Sequence, residues 1–154
     1  MTLGTRGNAH NVDLNRNFPV SNWRKGVTTT RWETSLPSDV ELSTGDTAGS
    51  EPEVQALLKV IEAQGIERIV SIHAPLACID YEHVVEWALP RILSEKLGLP
   101  LVTDIGYPCP GSMDSWSKEA RIPLVTIELE ENLSLVAMRQ KYGSVFQDVL
   151  TADI

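Results

Sequence analysis

Short apolar runs typical of strands alternate with amphipathic segments typical of helices from Ser50 to the carboxyl terminus. This alternation predicts an α/β fold, in which a mostly parallel or mixed sheet is flanked by helices. In such sheets ligands bind beyond the carboxyl ends of the strands, so residues at those ends are the first candidates for a site. Strands are predicted at residues 68–73, 100–104 and 123–129, and helices at residues 50–64, 83–97, 112–120 and 135–149.

The predicted helices have recognisable ends and apolar faces. Ser50 is predicted to cap the first helix, with Pro52 in its first turn and Gly65 ending it. Pro90 is predicted to kink or break the second helix, because its ring nitrogen cannot donate a hydrogen bond. The faces predicted to be buried are Val54, Leu57, Leu58 and Ile61 in the first helix, and Leu135, Met138, Tyr142, Phe146 and Val149 in the last.

The first fifty residues differ from the rest of the chain. They are rich in Asn, Thr, Gly and Ser and lack a sustained apolar period, which predicts loops and short extended pieces. A compact domain seldom carries so much irregular chain unless the segment lines a site or has lost a neighbour. The 154 residues are therefore predicted to form one domain, with a loop-rich segment over residues 1–50 and an α/β core over residues 51–154.

The charge of the chain excludes several classes of partner. The 13 Lys and Arg residues against 21 Asp and Glu residues give a formal net charge of −8. This charge repels phosphate backbones and anionic membrane surfaces, so neither nucleic acid nor membrane is an expected partner. Cys78 and Cys109 do not make a disulfide framework, so a reducing cytoplasm is the predicted location.

One polar residue lies at the carboxyl end of a predicted strand, and another lies near such an end. His73 ends an apolar run, where it is either a hydrogen-bonded buried histidine or a metal or acid/base group. Glu128 lies inside an apolar run, where a charged carboxylate costs several kcal/mol to bury unless it is paired. Glu128 is therefore either a salt-bridged acid at a strand end or a general base whose pKa is raised by burial.

The densest polar cluster occupies residues 13–19, where Arg16 stands between Asn15 and Asn17 with Phe18 following. A guanidinium flanked by amides suits bidentate binding of a carboxylate. An ordinary loop salt bridge is the alternative interpretation of Arg16.

These candidates lie within an ordered series of short motifs. The motifs are RGNA (6–9), VDLNRNFP (12–19), GSEPE (49–53), SIH (71–73), PLACI (75–79), GY (106–107), PGS (110–112) and TIE (126–128). With these motifs in this order, the chain resembles the zinc carboxypeptidase family, and within it the bacterial murein tripeptide amidases. The motifs PLACI and GY point to the murein amidase branch.

The resemblance implies a phosphorylase/hydrolase-like zinc-peptidase fold and hydrolysis of an amide bond near a free carboxylate. The murein branch suggests murein peptides as the substrate. Such chemistry needs a Lewis acid, a base for the attacking water and a donor for the oxyanion. The implied roles are His73 as a zinc ligand, Glu128 as the base that activates water, Arg6 as the oxyanion donor, Asn15 and Arg16 as the carboxylate-binding pair, Tyr107 as the residue that closes over the substrate, and Met113 as the floor of the side-chain pocket.

The chain departs from the family pattern in two places. Asn11 replaces a glycine, which is mild because Asn tolerates a positive φ. The family takes two further zinc ligands from a His-x-x-Glu motif before the Asn-Arg pair, and no such motif precedes it here. A His-x-x-Glu at residues 83–86 lies downstream of His73, and residues 10–13 overlap the Asn-Arg motif, so neither is expected to bind zinc.

Three functional hypotheses follow. The first is a zinc metallocarboxypeptidase or peptide amidase that lacks its first strands in this chain, with a peptide as its partner. The second is a catalytically inactive, truncated module that binds carboxylates, and the third is a zinc aminoacylase relative. Missing strands would expose a sheet edge, so either a homo-oligomer or a separate amino-terminal part is expected to cover it.

Overall fold

The computed structural model describes residues 6–32, 38–82, 85–131 and 133–151, which divide into two compact units. The first unit contains the described parts of residues 1–66 together with 108–122, and the second contains those of 67–107 and 123–154. The elements in chain order are β1 (Val27–Trp32), β2 (Ser38–Ser43), α1 (Pro52–Gln64), β3 (Ile69–His73), β4 (Leu76–Asp80), α2 (Leu89–Leu97), β5 (Leu101–Val102), α3 (Met113–Ala120), β6 (Leu124–Glu130) and α4 (Leu135–Thr151).

The described part of the first unit contains a two-stranded antiparallel ribbon, the α-helices α1 and α3, and a short 3-10 helix, Leu14–Arg16. β1 and β2 pair along their whole length, with Val27 opposite Ser43. Leu42 is 2% exposed and anchors the ribbon in the core of the unit. The Phe18 ring packs 6.2 Å, between centroids, from the Trp116 ring of α3, which ties the loop-rich segment to that helix.

Asn17 is the polar centre of this unit and is fully buried. Its Nδ2 donates to the carbonyl oxygens of Thr44, at 2.8 Å, and Thr47, at 3.0 Å. Its Oδ1 accepts from the backbone N–H of Glu51 at 3.0 Å. Because a buried amide is costly unless it is hydrogen-bonded, these contacts hold the loops in one arrangement without regular secondary structure.

The second unit is a mixed four-stranded sheet in the order β3-β6-β4-β5. β3 runs parallel to β6, β4 runs parallel to β5, and β4 runs antiparallel to β6. Alternate residues of β6 face the helices, and the core combines them with side chains of β4, α2 and α4. The buried apolar cluster contains Ile79, Leu89, Leu93, Leu97, Leu99, Val125, Ile127, Leu129, Tyr142 and Val145.

Most of the predicted elements are confirmed. The α/β class holds, and β3, β6, α1, α3 and α4 lie where the apolar patterns predicted them. Gly65 ends α1 with a left-handed φ of 58°, as the sequence indicated. No helix in the described part of the chain is long and apolar enough to cross a membrane.

Several boundaries were predicted wrongly. Glu51, not Ser50, precedes the first turn of α1, and the Ser50 hydroxyl donates to the Glu51 carboxylate instead. α2 begins at Leu89, so Pro90 lies in its first turn, where the missing N–H costs no hydrogen bond of the helix. Pro90 therefore neither kinks nor breaks the helix. Residues 83 and 84 lie outside the described residues. The strand predicted at residues 100–104 is only Leu101–Val102.

Two apolar positions were also predicted wrongly. Leu57 is 40% exposed and Leu135 is 82% exposed, although both continue the helical period. On the last helix, Val145 is buried in the core, whereas Leu135 is not. Periodicity identifies the face of a helix, but which turns are covered depends on where the neighbouring elements end.

Candidate active-site residues

His73 ends β3 of the second unit, and Glu128 lies two residues before the end of the neighbouring parallel strand β6. They are register partners of β3 and β6, and the distance from His73 Nδ1 to Glu128 Oε1 is 3.6 Å. The predicted approach of the two residues is therefore confirmed, at a separation too long for a good direct hydrogen bond. The His73 side chain is 38% exposed and that of Glu128 is 7% exposed, so the imidazole reaches solvent while the carboxylate does not.

Glu128 carries a buried polar atom without a partner. Its Oε2 has no hydrogen-bond partner among the described residues. A buried carboxylate oxygen in this state is costly and is usually explained by a bound ion, a water or a catalytic role. The prediction of a simple salt-bridged acid at the strand end does not account for this oxygen, whereas a base or a group near a metal does.

Cys78 of β4 is the cross-strand partner of Glu128 on the other side of β6. Burial raises the pKa of the Cys78 thiol, and the negative charges of Glu128 and Asp80 raise it further. Cys78 is therefore a neutral thiol and not a thiolate at neutral pH.

The described residues do not by themselves make a complete zinc site. They contain no group of three His, Cys, Asp or Glu side chains placed to hold one metal ion. Structural and catalytic zinc sites in proteins take three or four protein ligands. His73 and the unpartnered Glu128 oxygen fit the edge of such a site, but they do not fill it.

Asn15 and Arg16 lie in a short turn of the first unit, the 3-10 helix Leu14–Arg16. The Asp13 side chain caps this turn by accepting from the backbone N–H of Asn15 at 3.0 Å. The Arg16 guanidinium donates to the Asn15 carbonyl at 2.7 Å and to Cys109 Sγ at 3.2 Å. Within the described part of the chain no carboxylate pairs with Arg16, so the predicted alternative of a loop salt bridge is not observed.

Met113 and Asn15 are brought together. The backbone N–H of Met113, the first residue of α3, donates to Asn15 Oδ1 at 2.8 Å. Ser112 caps α3 by accepting from the backbone N–H of Ser115 at 3.0 Å. The asparagine oxygen thus accepts from the helix terminus, and the NH₂ group of the same amide remains a hydrogen-bond donor.

Arg6 is held in the same unit by Asp13. Its Nε donates to Asp13 Oδ2 at 2.8 Å, with the Arg6 side chain 39% exposed and that of Asp13 4% exposed. Because this contact uses only Nε–H, the terminal nitrogens of the guanidinium keep their donors. Asp13 therefore organises both Arg6 and the Asn15 turn, a role that sequence reasoning missed.

Tyr107 belongs to the second unit and is half exposed. It follows Gly106, whose φ of 88° lies in the region that favours glycine. The exposed ring fits a residue that contacts a ligand, and its closing role stays a prediction.

The motif at residues 10–13 has a structural explanation. His10 Nδ1 lies 2.7 Å from Glu51 Oε2 at the start of α1, and Asn8 Nδ2 donates to the same oxygen at 2.7 Å. The contact between His10 and Glu51, like that between Cys109 and Arg16, was not identified by any sequence signal. Position 83 of the motif at residues 83–86 lies outside the described residues.

Comparison with known proteins identifies the family. Residues 1–86, more than half of the chain, match the Peptidase_M14 family, zinc carboxypeptidase. The chain belongs to this family. The resemblance predicted from the ordered motifs is confirmed.

The relatives include enzymes with murein in their names. Murein peptide amidase A of Escherichia coli K12 is 45% identical over 130 residues, which are 82% of this chain and 52% of the relative. Murein peptide amidase A of Vibrio campbellii is 42% identical over 131 residues, which are 82% of this chain and 51% of the relative. The chain thus spans about half the length of the curated relatives it matches.

Solved structures agree with the fold. The crystal structure of murein-tripeptide amidase from Escherichia coli O157 superposes with a TM-score of 0.86 at 40% identity, covering 96% of this chain and 61% of that one. Thrombin activatable fibrinolysis inhibitor superposes with a TM-score of 0.65 at 19% identity, covering 96% of this chain and 42% of that one. The second likeness concerns the fold alone.

Proposed function

We propose that this chain takes part in zinc-dependent hydrolysis of an amide bond near a free carboxylate, with murein peptides as the substrate class. His73 would be one zinc ligand, and Glu128 would take the proton of the attacking water and pass it to the leaving amine. Asn15 and Arg16 would bind the substrate carboxylate, Arg6 would donate to the oxyanion, Tyr107 would close over the peptide, and Met113 would line the pocket for its side chain.

The observation that carries this proposal is the state of Glu128. The Glu128 carboxylate is buried and lies 3.6 Å from an imidazole, and one of its oxygens has no hydrogen-bond partner among the described residues. Such an oxygen is suited to contact a bound water or cation. Membership of the zinc carboxypeptidase family supports the reaction class. The names of the amidase relatives support the choice of murein peptides.

Zinc would supply the Lewis acid and lower the pKa of the attacking water when bound. Because the described residues bring one imidazole to this place, the ligands besides His73 must come from elsewhere. We expect the chain alone to bind zinc weakly by isothermal titration, with His73→Gln weakening that binding further. Tight one-to-one binding by the chain would contradict this expectation.

A hydrolysis assay tests the function. The chain is joined to the part of Escherichia coli murein peptide amidase A that it does not match, and peptide cleavage is measured. The chimera is expected to hydrolyse a peptide with a free carboxylate, and Glu128→Gln is expected to lower kcat by about 100-fold or more while zinc content is unchanged. Equal rates for Glu128→Gln and the parent chimera would contradict the role of Glu128 as the base.

A second candidate is a carboxylate-binding module without catalysis. The absence of a three-ligand cluster among the described residues favours it, and Arg16 could bind an anion without any metal. A chimera that binds peptides with a free carboxylate but never hydrolyses them, with or without zinc, would support this alternative. Cys78 and Cys109 form no disulfide, which is compatible with the cytoplasmic location that we propose for either function.

A further inference from the structure

Arg16 has a neighbour that the family resemblance does not assign. Its Nη2 donates to Cys109 Sγ at 3.2 Å, across 93 positions of sequence. Its other hydrogen bond within the described residues is to the Asn15 carbonyl. Since a guanidinium carries five N–H donors, these two contacts leave further donors for a ligand while fixing the plane of the group.

Backbone contacts hold the Cys109 loop, residues 109–113, against the Arg16 turn. The backbone N–H of Phe18 donates to the Gly111 carbonyl at 2.9 Å, and that of Met113 donates to Asn15 Oδ1 at 2.8 Å. A Cβ atom at Gly111 would lie 2.5 Å from the Arg16 carbonyl oxygen. The two segments are therefore in direct backbone contact, which brings Cys109 Sγ within reach of the guanidinium.

The chemistry of sulfur suits this position. A thiol is a weak hydrogen-bond acceptor and is uncharged when protonated, so it can orient the guanidinium without neutralising it. A carboxylate at the same place would form a bidentate ion pair with Arg16 and compete with any carboxylate ligand. An apolar side chain would leave the guanidinium without its second contact.

We propose that Cys109 is a positioning residue, which orients the Arg16 guanidinium for an anionic ligand while leaving its charge available. The proposal rests on the proposed function for the identity of that ligand, a peptide carboxylate. The contact between Cys109 and Arg16 does not rest on it, so the two can be tested separately.

Alkylation kinetics test the contact without any substrate. The thiolate attacks the reagent carbon, a C–S bond forms, iodide leaves and the thiol proton passes to solvent. The rate of Cys109 modification is measured in the full chain by peptide mapping with anionic iodoacetate and with neutral iodoacetamide. Buried Cys78 serves as the internal control.

We expect the ratio of iodoacetate to iodoacetamide rates at Cys109 to fall by about 3-fold or more in Arg16→Gln, because the attracting charge is removed. The matched control is Arg24→Gln, which removes the same charge from a side chain bonded to the carbonyls of Ser21 and Trp23. An unchanged ratio in Arg16→Gln, or an equal fall in both variants, would overturn the proposal.

Ligand binding tests the consequence for recognition. The probes are N-acetyl-alanyl-alanine and its carboxamide, and binding to the full chain is followed by NMR titration. Cys109→Ser is expected to bind the carboxylate probe within about 3-fold of the parent, because the hydroxyl also accepts a hydrogen bond. Cys109→Ala is expected to bind it about 3- to 10-fold more weakly.

The sharpest comparison is between Cys109→Asp and the nearly isosteric Cys109→Asn. Only an aspartate at position 109 can form an ion pair with Arg16. Cys109→Asp should therefore abolish the preference of the chain for the carboxylate probe over the carboxamide probe, whereas Cys109→Asn should keep that preference. Equal preferences in these two variants would overturn the proposal. A different result is a parent chain that shows no preference for the carboxylate probe over the carboxamide probe, while the alkylation ratio still depends on Arg16. That result would contradict the carboxylate-binding role in the proposed function and would support the contact between Cys109 and Arg16.

Discussion

At Arg16, a substitution can distinguish the effect of the positive charge on catalysis from the effect of the planar guanidinium geometry. Lys keeps the charge of Arg but loses the planar fork that binds a carboxylate through two hydrogen bonds. In the chimera, Arg16→Lys is expected to lower kcat/KM by about 10- to 150-fold, the value of one lost charge-assisted hydrogen bond. The measurement uses a peptide with a free carboxylate, with its amide as control. If Arg16→Lys lowers both rates equally, the residue does not act on the carboxylate.

His10 and Glu51 make a pH-dependent contact at the start of α1. The hydrogen bond to Glu51 and the charge of that carboxylate raise the pKa of His10 above its ordinary value of 6.5. The hydrogen bond from Asn8 does most to lower the pKa of Glu51 below its ordinary value of 4.5. The contribution of His10 is therefore complete below 6.5 and is lost as the pH rises through its raised pKa, whereas that of Glu51 is lost as the pH falls through its lowered pKa.

The test compares the parent chain with His10→Gln by urea unfolding at about pH 6 and about pH 8. The variant is expected to be less stable than the parent at the lower pH, and the difference is expected to shrink at the higher pH. The effect is small, because His10 is largely exposed and solvent screens the pair. A difference that is the same at both pH values would show that the histidine charge contributes nothing.

At the scale of elements, Gly111 determines how closely the Cys109 loop approaches the Arg16 turn. Its φ of 73° is strained for an L side chain, and a Cβ atom would also lie 2.8 Å from Trp23 Cδ1. Gly111→Ala is expected to lower the free energy of unfolding by about 2–4 kcal/mol, as the sum of strain and overlap. The control is Gly65→Ala, with a φ of 58° and open space around it, for which strain alone predicts about 1 kcal/mol. Equal losses in urea unfolding would mean that the close contact is not important.

The elements that sequence reasoning missed have weak local signals. β4 begins immediately after Pro75 and contains Ala77 at a φ of 54°, so it shows neither the length nor the alternation of an ordinary strand. β1 is built on Val27 and three threonines, whose β-branched side chains favour strands without an apolar period. Long apolar patterns predicted β6 and α4 correctly because those elements are buried against each other.

The contacts of the candidate site also divide into those that the sequence could predict and those that it could not. His73 and Glu128 could be placed together in advance, because neighbouring parallel strands bring their carboxyl ends to one edge. Cys109 could not be placed beside Arg16, because no periodicity relates residues 93 positions apart in two loops. The orienting contacts of Asp13 and Met113 were also beyond prediction, since they depend on turn and cap geometry that forms only in the folded unit.

At the scale of the whole molecule, β3 is an edge strand of its sheet. Within the described residues it pairs only with β6, and Ile72, its fourth residue, is 51% exposed. An apolar edge of this kind recruits another strand. We therefore expect the chain to associate at tens of micromolar, an order of magnitude suited to weak contacts, as measured by light scattering.

The edge is tested by Ile72→Lys, because a lysine on an edge strand opposes pairing. This variant is expected to be more monomeric than the parent, whereas Val60→Lys, at a 55% exposed position of α1, is the matched control. A parent chain that stays a stable monomer at tens of micromolar, or equal effects of both lysines, would exclude association through β3.

The chain passes between the two units more than once. Residues 108–122 belong to the same unit as residues 1–66, although their sequence neighbours belong to the other unit. During translation, the Arg16 turn therefore leaves the ribosome long before the loop that completes its surroundings. Asn15 cannot contact Met113, and Arg16 cannot contact Cys109, until more than ninety further residues have been synthesised. A nascent chain interrupted before residue 108 would carry Asn15 and Arg16 without the contacts that orient them, so the proposed carboxylate-binding pair is held in place only after residue 113 has been synthesised.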